Sequence, residues 1–252
     1  MTTAAKIIIS VLSVFTAIAI IFGVYIHFFS GISFGSSRRV VSGSIAPEGE
    51  ITSLTVDAAI GDVRIKTGSD FSVDYNIYEQ LVPTVTVDDG VLKVKSEAER
   101  LNLTGINLPK DLYIIITIPE DFRFEKVSLD LDAGNMNIKN LSADTLRLDV
   151  DAGNIKMEDV EAGEVTADVD AVNFEVTDLT TDRFTVDIDA GNLDIRDSYI
   201  DYIYADVDMG NVESHNCTIN SGECDVDLGN ISLRGEIGSV TSHTSLGNSS
   251  AD

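Results

Sequence analysis

Asparagine returns at a fixed interval through the second half of this chain. Asn135, Asn154, Asn173, Asn192, Asn211 and Asn230 stand 19 residues apart, and Asn248 follows after 18. Two aspartate columns keep the same interval. One is Asp130, Asp149, Asp168, Asp187, Asp206 and Asp225; the other is Asp132, Asp151, Asp170, Asp189, Asp208 and Asp227. Copies that coincide without insertion or deletion leave few folds open, because each must be one structural unit stacked on the next.

The unit itself is made of strands. In LRLDVDAGNIKMEDV at 146–160, Leu146, Leu148, Val150 and Ala152 are expected to point inward, against Arg147, Asp149 and Asp151 outward. After Gly153 and Asn154 the alternation resumes, with Ile155 and Met157 inward and Lys156 and Glu158 outward. Alternation with period two, broken by Gly-Asn, spells short strands and tight turns. One such unit cannot bury its apolar face alone. The expected fold is therefore all-β: a single-chain parallel β-helix, or β-solenoid, of 19-residue coils about 4.8 Å apart. Asparagine suits the turn because it tolerates left-handed backbone and its amide can bond from coil to coil. Val172 replaces the glycine in one copy, and a β-branched residue resists positive φ. The left-handed conformation is accordingly expected at Asn173 and its equivalents, which makes this column structural.

Upstream, LTVDAAIGDVRI at 54–65 fits the same register and is read as a first coil within 46–68. Residues 69–120 leave the pattern and are read as an antiparallel insertion, with extended stretches near 71–78, 84–87, 91–94 and 112–118. Asp88, Asp89 and Gly90 supply the turn of a hairpin between the middle two. The insertion is expected beside or over one end of the solenoid, whose regular coils occupy 121–252. All four prolines (Pro47, Pro83, Pro109 and Pro119) precede the regular coils, where a missing N–H would break the ladder.

Residues 7–29 form a run of 23 without an acid, lysine or arginine, about 34 Å as a helix and enough to cross a hydrocarbon core of about 30 Å. The run is too long for the apolar part of a cleaved signal peptide, and no small-residue cleavage motif follows it. An uncleaved single-pass anchor at 1–30, followed by a linker at 31–45, is the expectation. Lys6 on one side and Arg38 with Arg39 on the other leave the positive-inside count nearly tied.

A membrane anchor, a lone Gly-Asp-Val-x-Ile coil at 61–65, an insertion ending in Ile-Thr-Ile-Pro at 116–119, and serial Asp-x-Asp-Ala-Gly-Asn coils together resemble the bacterial putative-adhesin family. These are membrane-anchored β-strand-repeat proteins that include Lia-type cell-envelope stress proteins of Gram-positive bacteria. The resemblance covers roughly 45–252. It implies a bacterial cell-membrane location with the solenoid outside, and it carries no catalytic motif with it.

Charge narrows the function classes. Lysine plus arginine number 17 against 42 aspartates and glutamates, a net charge of −25, which argues against nucleic acid as a partner. Twelve carboxylates in a two-by-six grid on one face would repel neighbours at about 5 Å by about 0.8 kcal/mol even in water. Three readings of the grid stand side by side. It keeps a parallel sheet soluble and blocks edge-to-edge association; it holds calcium weakly; or it captures cationic partners such as peptides at the membrane surface. No other cofactor is expected. Tyr199, Tyr202 and Tyr204 fall on otherwise polar columns as an aromatic patch, able to bind a sugar or partner or to pack on itself. Cys217 and Cys224 sit on inward columns and are read as buried free thiols. Nucleophile–base pairs, phosphate loops and zinc spacings are all missing, so no enzyme is expected. Envelope proteins and self-association through solenoid ends complete the partner classes.

Overall fold

The computed structural model describes residues 39–97 and 111–251. The expected anchor at 7–29 lies outside the described residues, as does most of the expected linker. The elements in chain order are β1 (Val40–Ile45), β2 (Ser53–Ala58), β3 (Asp62–Gly68), β4 (Ser72–Tyr78), a single 3-10 turn (Glu79–Leu81), β5 (Thr84–Asp88), β6 (Val91–Ser96), β7 (Tyr113–Pro119), β8 (Arg123–Arg196), β9 (Tyr199–Leu246) and β10 (Ser249–Ala251). The described chain is all-β. Among the described residues no helix is long and apolar enough to cross a membrane.

β8 and β9 are long runs of extended backbone that turn several corners in each repeat and pair with each other in parallel. Asp187 pairs in parallel with Asp206, Gly191 with Gly210 and Asn192 with Asn211, each at an offset of 19. Burial repeats with the same period. In one copy Leu141 and Ala143, then Leu146, Leu148 and Val150, then Ile155 and Met157 are buried, while the residues between them reach solvent. Each repeat therefore has three straight runs, one more than the alternation around Gly-Asn makes plain, and the stacked runs share one apolar interior. Phe174 and Phe184 meet edge to face inside it, with ring centroids 5.9 Å apart.

The corners correct the expectation placed on the asparagines. Left-handed backbone falls at Asp121, Asn140, Asp159, Asp178, Asp197 and Asn216, with φ between 51° and 58°, and at none of Asn135, Asn154, Asn173, Asn192, Asn211 or Asn230. These left-handed residues also recur every 19, where the chain enters the short run. Short polar side chains that bond locally make that conformation affordable. At the other corner the unusual backbone belongs to glycine: Gly134, Gly153, Gly210 and Gly229 have φ of 149–159°. A Cβ on Gly153 would meet the carbonyl of Gly134, one repeat before, so the backbones themselves are in contact here. Val172 escapes by turning its side chain into the interior, where it is buried, without a positive φ. Ala152, expected inward, is exposed, at the corner just before Gly153.

β2 and β3 stack directly on the start of β8. Val56 of β2 pairs with Leu129 and Ile65 of β3 with Ile138, both in parallel. The segment that follows is less simply antiparallel than expected. β6 lies parallel on β2 and β7 parallel on β3, so both continue the stack; β5, β4 and β1 then add antiparallel strands outside them. Asp89 and Gly90, with φ of 48° and 78°, form the tight turn between β5 and β6. β1 corrects the linker expected at 31–45: Val41, Gly43 and Ile45 alternate half-buried against β4, with Ile45 opposite Val73. Phe71, Phe122 and Phe124 pack edge to face where this end meets the first full repeat, Phe71 and Phe122 at 5.0 Å and Phe122 and Phe124 at 4.8 Å.

Candidate binding surface

The middle run of each repeat carries the two aspartate columns. Leu146, Leu148 and Val150 bury one side of that run, so period two sends Asp149 and Asp151 to the other, and stacking repeats this in every copy. The structure brings all twelve predicted carboxylates to one surface and adds a member. Asp57 of β2 pairs with Asp130, which lengthens the first column to seven, and Lys95 of β6 pairs with Asp57 beyond it. Lys95 Nζ lies 3.4 Å from the Asp57 carboxylate, so the column terminates on a cation. The sequence signal for Asp57 was present in the register of 54–65, but its distance of 73 residues from Asp130 breaks the 19-residue count.

Little neutralises this surface. Among the described residues, the only base within 4 Å of any of the twelve is Arg147, whose guanidinium is 3.6 Å from Asp149. The Tyr204 hydroxyl reaches Asp206 at 3.5 Å, and the Ser245 hydroxyl donates to Asp227 at 2.9 Å. The electrostatic consequence is a set of carboxyls that hold their protons above the usual range. Partial withdrawal from water, followed by repulsion from Asp132, Asp170, Asp149 and Asp130, pushes Asp151 up to about 6. Asp130, Asp132, Asp170 and Asp187 are raised for the same two reasons in the same order. The third run of each repeat contrasts with this. There Lys139 pairs with Glu158 at 2.7 Å, Arg196 with Asp194, and His215 with Glu213 at 3.5 Å.

The asparagine column ties the repeats together beside the acidic surface. Asn135 Nδ2 donates to Asp62 at 2.8 Å and Asn154 Nδ2 to Asn135 Oδ1 at 2.9 Å. Asn192, Asn211 and Asn230 continue in the same sense onto Asn173, Asn192 and Asn211 at 2.9, 2.8 and 3.0 Å. Among the described residues no such bond joins Asn173 to Asn154, at the copy where Val172 changes the corner. The ladder fixes the spacing at which the carboxylates are presented.

The tyrosines do not form one flat patch. Tyr199 is 45% exposed on the short run and accepts a hydrogen bond from Asn220 at 3.0 Å. Tyr202 is covered by the Arg183 guanidinium, 4.5 Å from its ring centre, and Tyr204 stands beside the aspartates. Cys217 and Cys224 are buried and free, and burial pushes the Cys224 thiol up to about 12. Among the described residues, no three histidine, cysteine, aspartate or glutamate side chains come together in a way that could hold a metal ion.

Known proteins share this architecture. A putative adhesin from Bacteroides fragilis is similar over 84% of this chain and 97% of its own, with 15% identity and a TM-score of 0.59. A putative adhesin from Parabacteroides distasonis is 16% identical over 84% of this chain and 98% of its own, with a TM-score of 0.52. A putative lipid binding protein from the same species is 16% identical over 84% and 96%, with a TM-score of 0.50. At these identities the likeness is one of fold. No curated protein matches the sequence. The family model of the Toastrack DUF4097 domain matches residues 51–245, from the first coil through the stacked repeats, and the chain belongs to that family.

Proposed function

We propose that this protein is a non-enzymatic binding module of the bacterial cell surface, a β-solenoid held to the membrane through residues 7–29 with its repeats outside. Its acidic face gathers cationic ligands by multivalent electrostatics, and envelope stress is the setting in which such ligands arrive. One observation carries the reading. Two columns of carboxylates at repeat spacing have, among the described residues, almost no bases of their own, and several resist ionisation because they are partly withdrawn from water and face one another. A polycation laid along the columns would relieve that repulsion at every repeat, and it is the missing counter-charge that makes the surface a receptor. The adhesin and lipid-binding names borne by proteins of the same fold are in keeping with a binding role.

The test is a titration of the full chain with pentalysine and, separately, with calcium, at low and at physiological salt. The comparison is a variant carrying Asp149→Asn, Asp168→Asn and Asp187→Asn. Saturable pentalysine binding that weakens at least tenfold in the variant supports the reading. Calcium binding without pentalysine binding would make the face a metal site. Binding of neither, with a variant that is more stable, would leave the columns as a device for solubility.

A further inference from the structure

The corner that follows the second aspartate column changes chemistry along the stack. Its residues are Ala133, Ala152, Ala171 and Ala190 in four successive repeats, then Met209, Leu228 and Leu246 in the last three. Alanine at an outward corner is bland. Three large apolar side chains in succession at a solvent-facing corner have no packing role that the earlier repeats need. Met209 and Leu228 are half-buried and Leu246 is 56% exposed. Together with Asp208, Asp227 and Ser245 they line a shallow groove of about 330 Å³. The groove thus has an apolar floor and an acidic wall, and among the described residues no lysine or arginine lines it.

We infer that this groove is the docking site for a cationic amphipathic helix, an assignment that rests on the reading of the acidic face as a receptor and gives it a specific seat. Charge complementarity selects a basic occupant, because Asp208 and Asp227 stand one repeat apart along the wall. The apolar column selects one with an apolar stripe adjoining its basic residues. Spacing selects a helix. Repeats present their side chains about 4.8 Å apart, and a helix lying along the stack presents one turn every 5.4 Å, so three rows accumulate a mismatch of only about 1.2 Å. An extended segment in the same direction presents one face about every 6.8 Å and falls out of step by about 4 Å over the same rows. Apolar residues at i, i+3 or i+4, and i+7 would contact Met209, Leu228 and Leu246, with lysine or arginine beside them on the aspartates.

The experiment measures fluorescence anisotropy of two labelled peptides on the full chain in a nonionic detergent, with empty micelles subtracted. One peptide is a leucine–lysine amphipathic helix; the other has the same composition scrambled to remove the stripe. The variant carries Met209→Ala, Leu228→Ala and Leu246→Ala, which restores the residue the same corner bears in four other repeats, and a thermal melt checks its fold. The amphipathic peptide is expected to bind the wild-type chain at least tenfold tighter than the scrambled one, and the alanine variant to lose that preference while still binding both. Asp208→Asn with Asp227→Asn should weaken the amphipathic peptide severalfold. Equal binding of the two peptides to the wild-type chain, or a preference that survives in the alanine variant, overturns the groove and leaves the acidic face standing. Binding of neither peptide overturns both.

Discussion

Changing Asp151 to asparagine removes one charge from the middle of the acidic surface and keeps the shape of the side chain. The carboxyl is pushed up to about 6 from an ordinary 3.8, by partial burial first and by four neighbouring carboxylates after it. A raised acid binds its proton more tightly in the folded chain than in the unfolded one. The folded state therefore gains stability from this group below about pH 4, and loses it as pH rises through about 6. Two pH units of difference correspond to ~3 kcal/mol if fully expressed. Asp151 is exposed to solvent, however, and screening reduces the effect to about 1 kcal/mol. In a domain of this size that is about 2–4 °C in Tm. Thermal unfolding followed by circular dichroism should thus place Asp151→Asn above the wild-type chain by that margin at pH 7.5, and level with it at about pH 3. A variant that melts lower at pH 7.5, or that gains equally at both pH values, would refute the argument that the carboxylates strain against one another.

Three further outcomes follow from the corners and the interior. Gly153→Ala puts a methyl group into the Gly134 carbonyl at a φ of 149°, and should cost about 3 kcal/mol or more in urea unfolding; a loss under about 1 kcal/mol would mean the repeats can separate there at little cost. Asn192→Ala removes the amide that donates to Asn173 and accepts from Asn211, a loss of about 1–2 kcal/mol by the same assay, whereas Asn154→Ala should cost less because, among the described residues, no asparagine of the next repeat donates to its amide. Neither cysteine of the folded chain should react with a thiol reagent at pH 8, since burial raises both thiols; both should react at once in denaturant, and rapid labelling of the native chain would place a thiol at the surface.

The legible part of the fold was whatever repeats in spelling. Identical Asp, Gly and Asn at a period of 19 announce a stack, and alternation around them announces which side chains fill it, so the twelve carboxylates could be put on one face before any coordinates. The short run escaped because its left-handed entry residue is spelled Asn140, Asp159, Asp178, Asp197 and Asn216: two residue types share one backbone conformation, and neither type is conspicuous in a chain this acidic. The asparagine column misled for a different reason. Val172 pointed away from the glycine, yet that copy takes the corner without a positive φ while the glycines of other copies adopt one, and the asparagines serve only the coil-to-coil amide bonds. Pairing direction in 69–120 is not written in alternation at all, which is why β6 and β7 join the parallel stack unannounced. Asp57 and the Met209–Leu228–Leu246 corner went unseen because a column is visible only while its count or its residue type is unbroken.

The most direct measurement is the titration of the Asp151 carboxyl by carbon NMR, in the free chain and again with pentalysine bound. A midpoint near 6 is expected in the free chain, because partial burial and, after it, neighbouring carboxylates hold the proton on. A fall toward the ordinary aspartate range is expected once a polycation supplies the missing counter-charge. A midpoint that stays where it was while pentalysine is demonstrably bound would place the ligand elsewhere and contradict the assignment of the acidic face as the receptor.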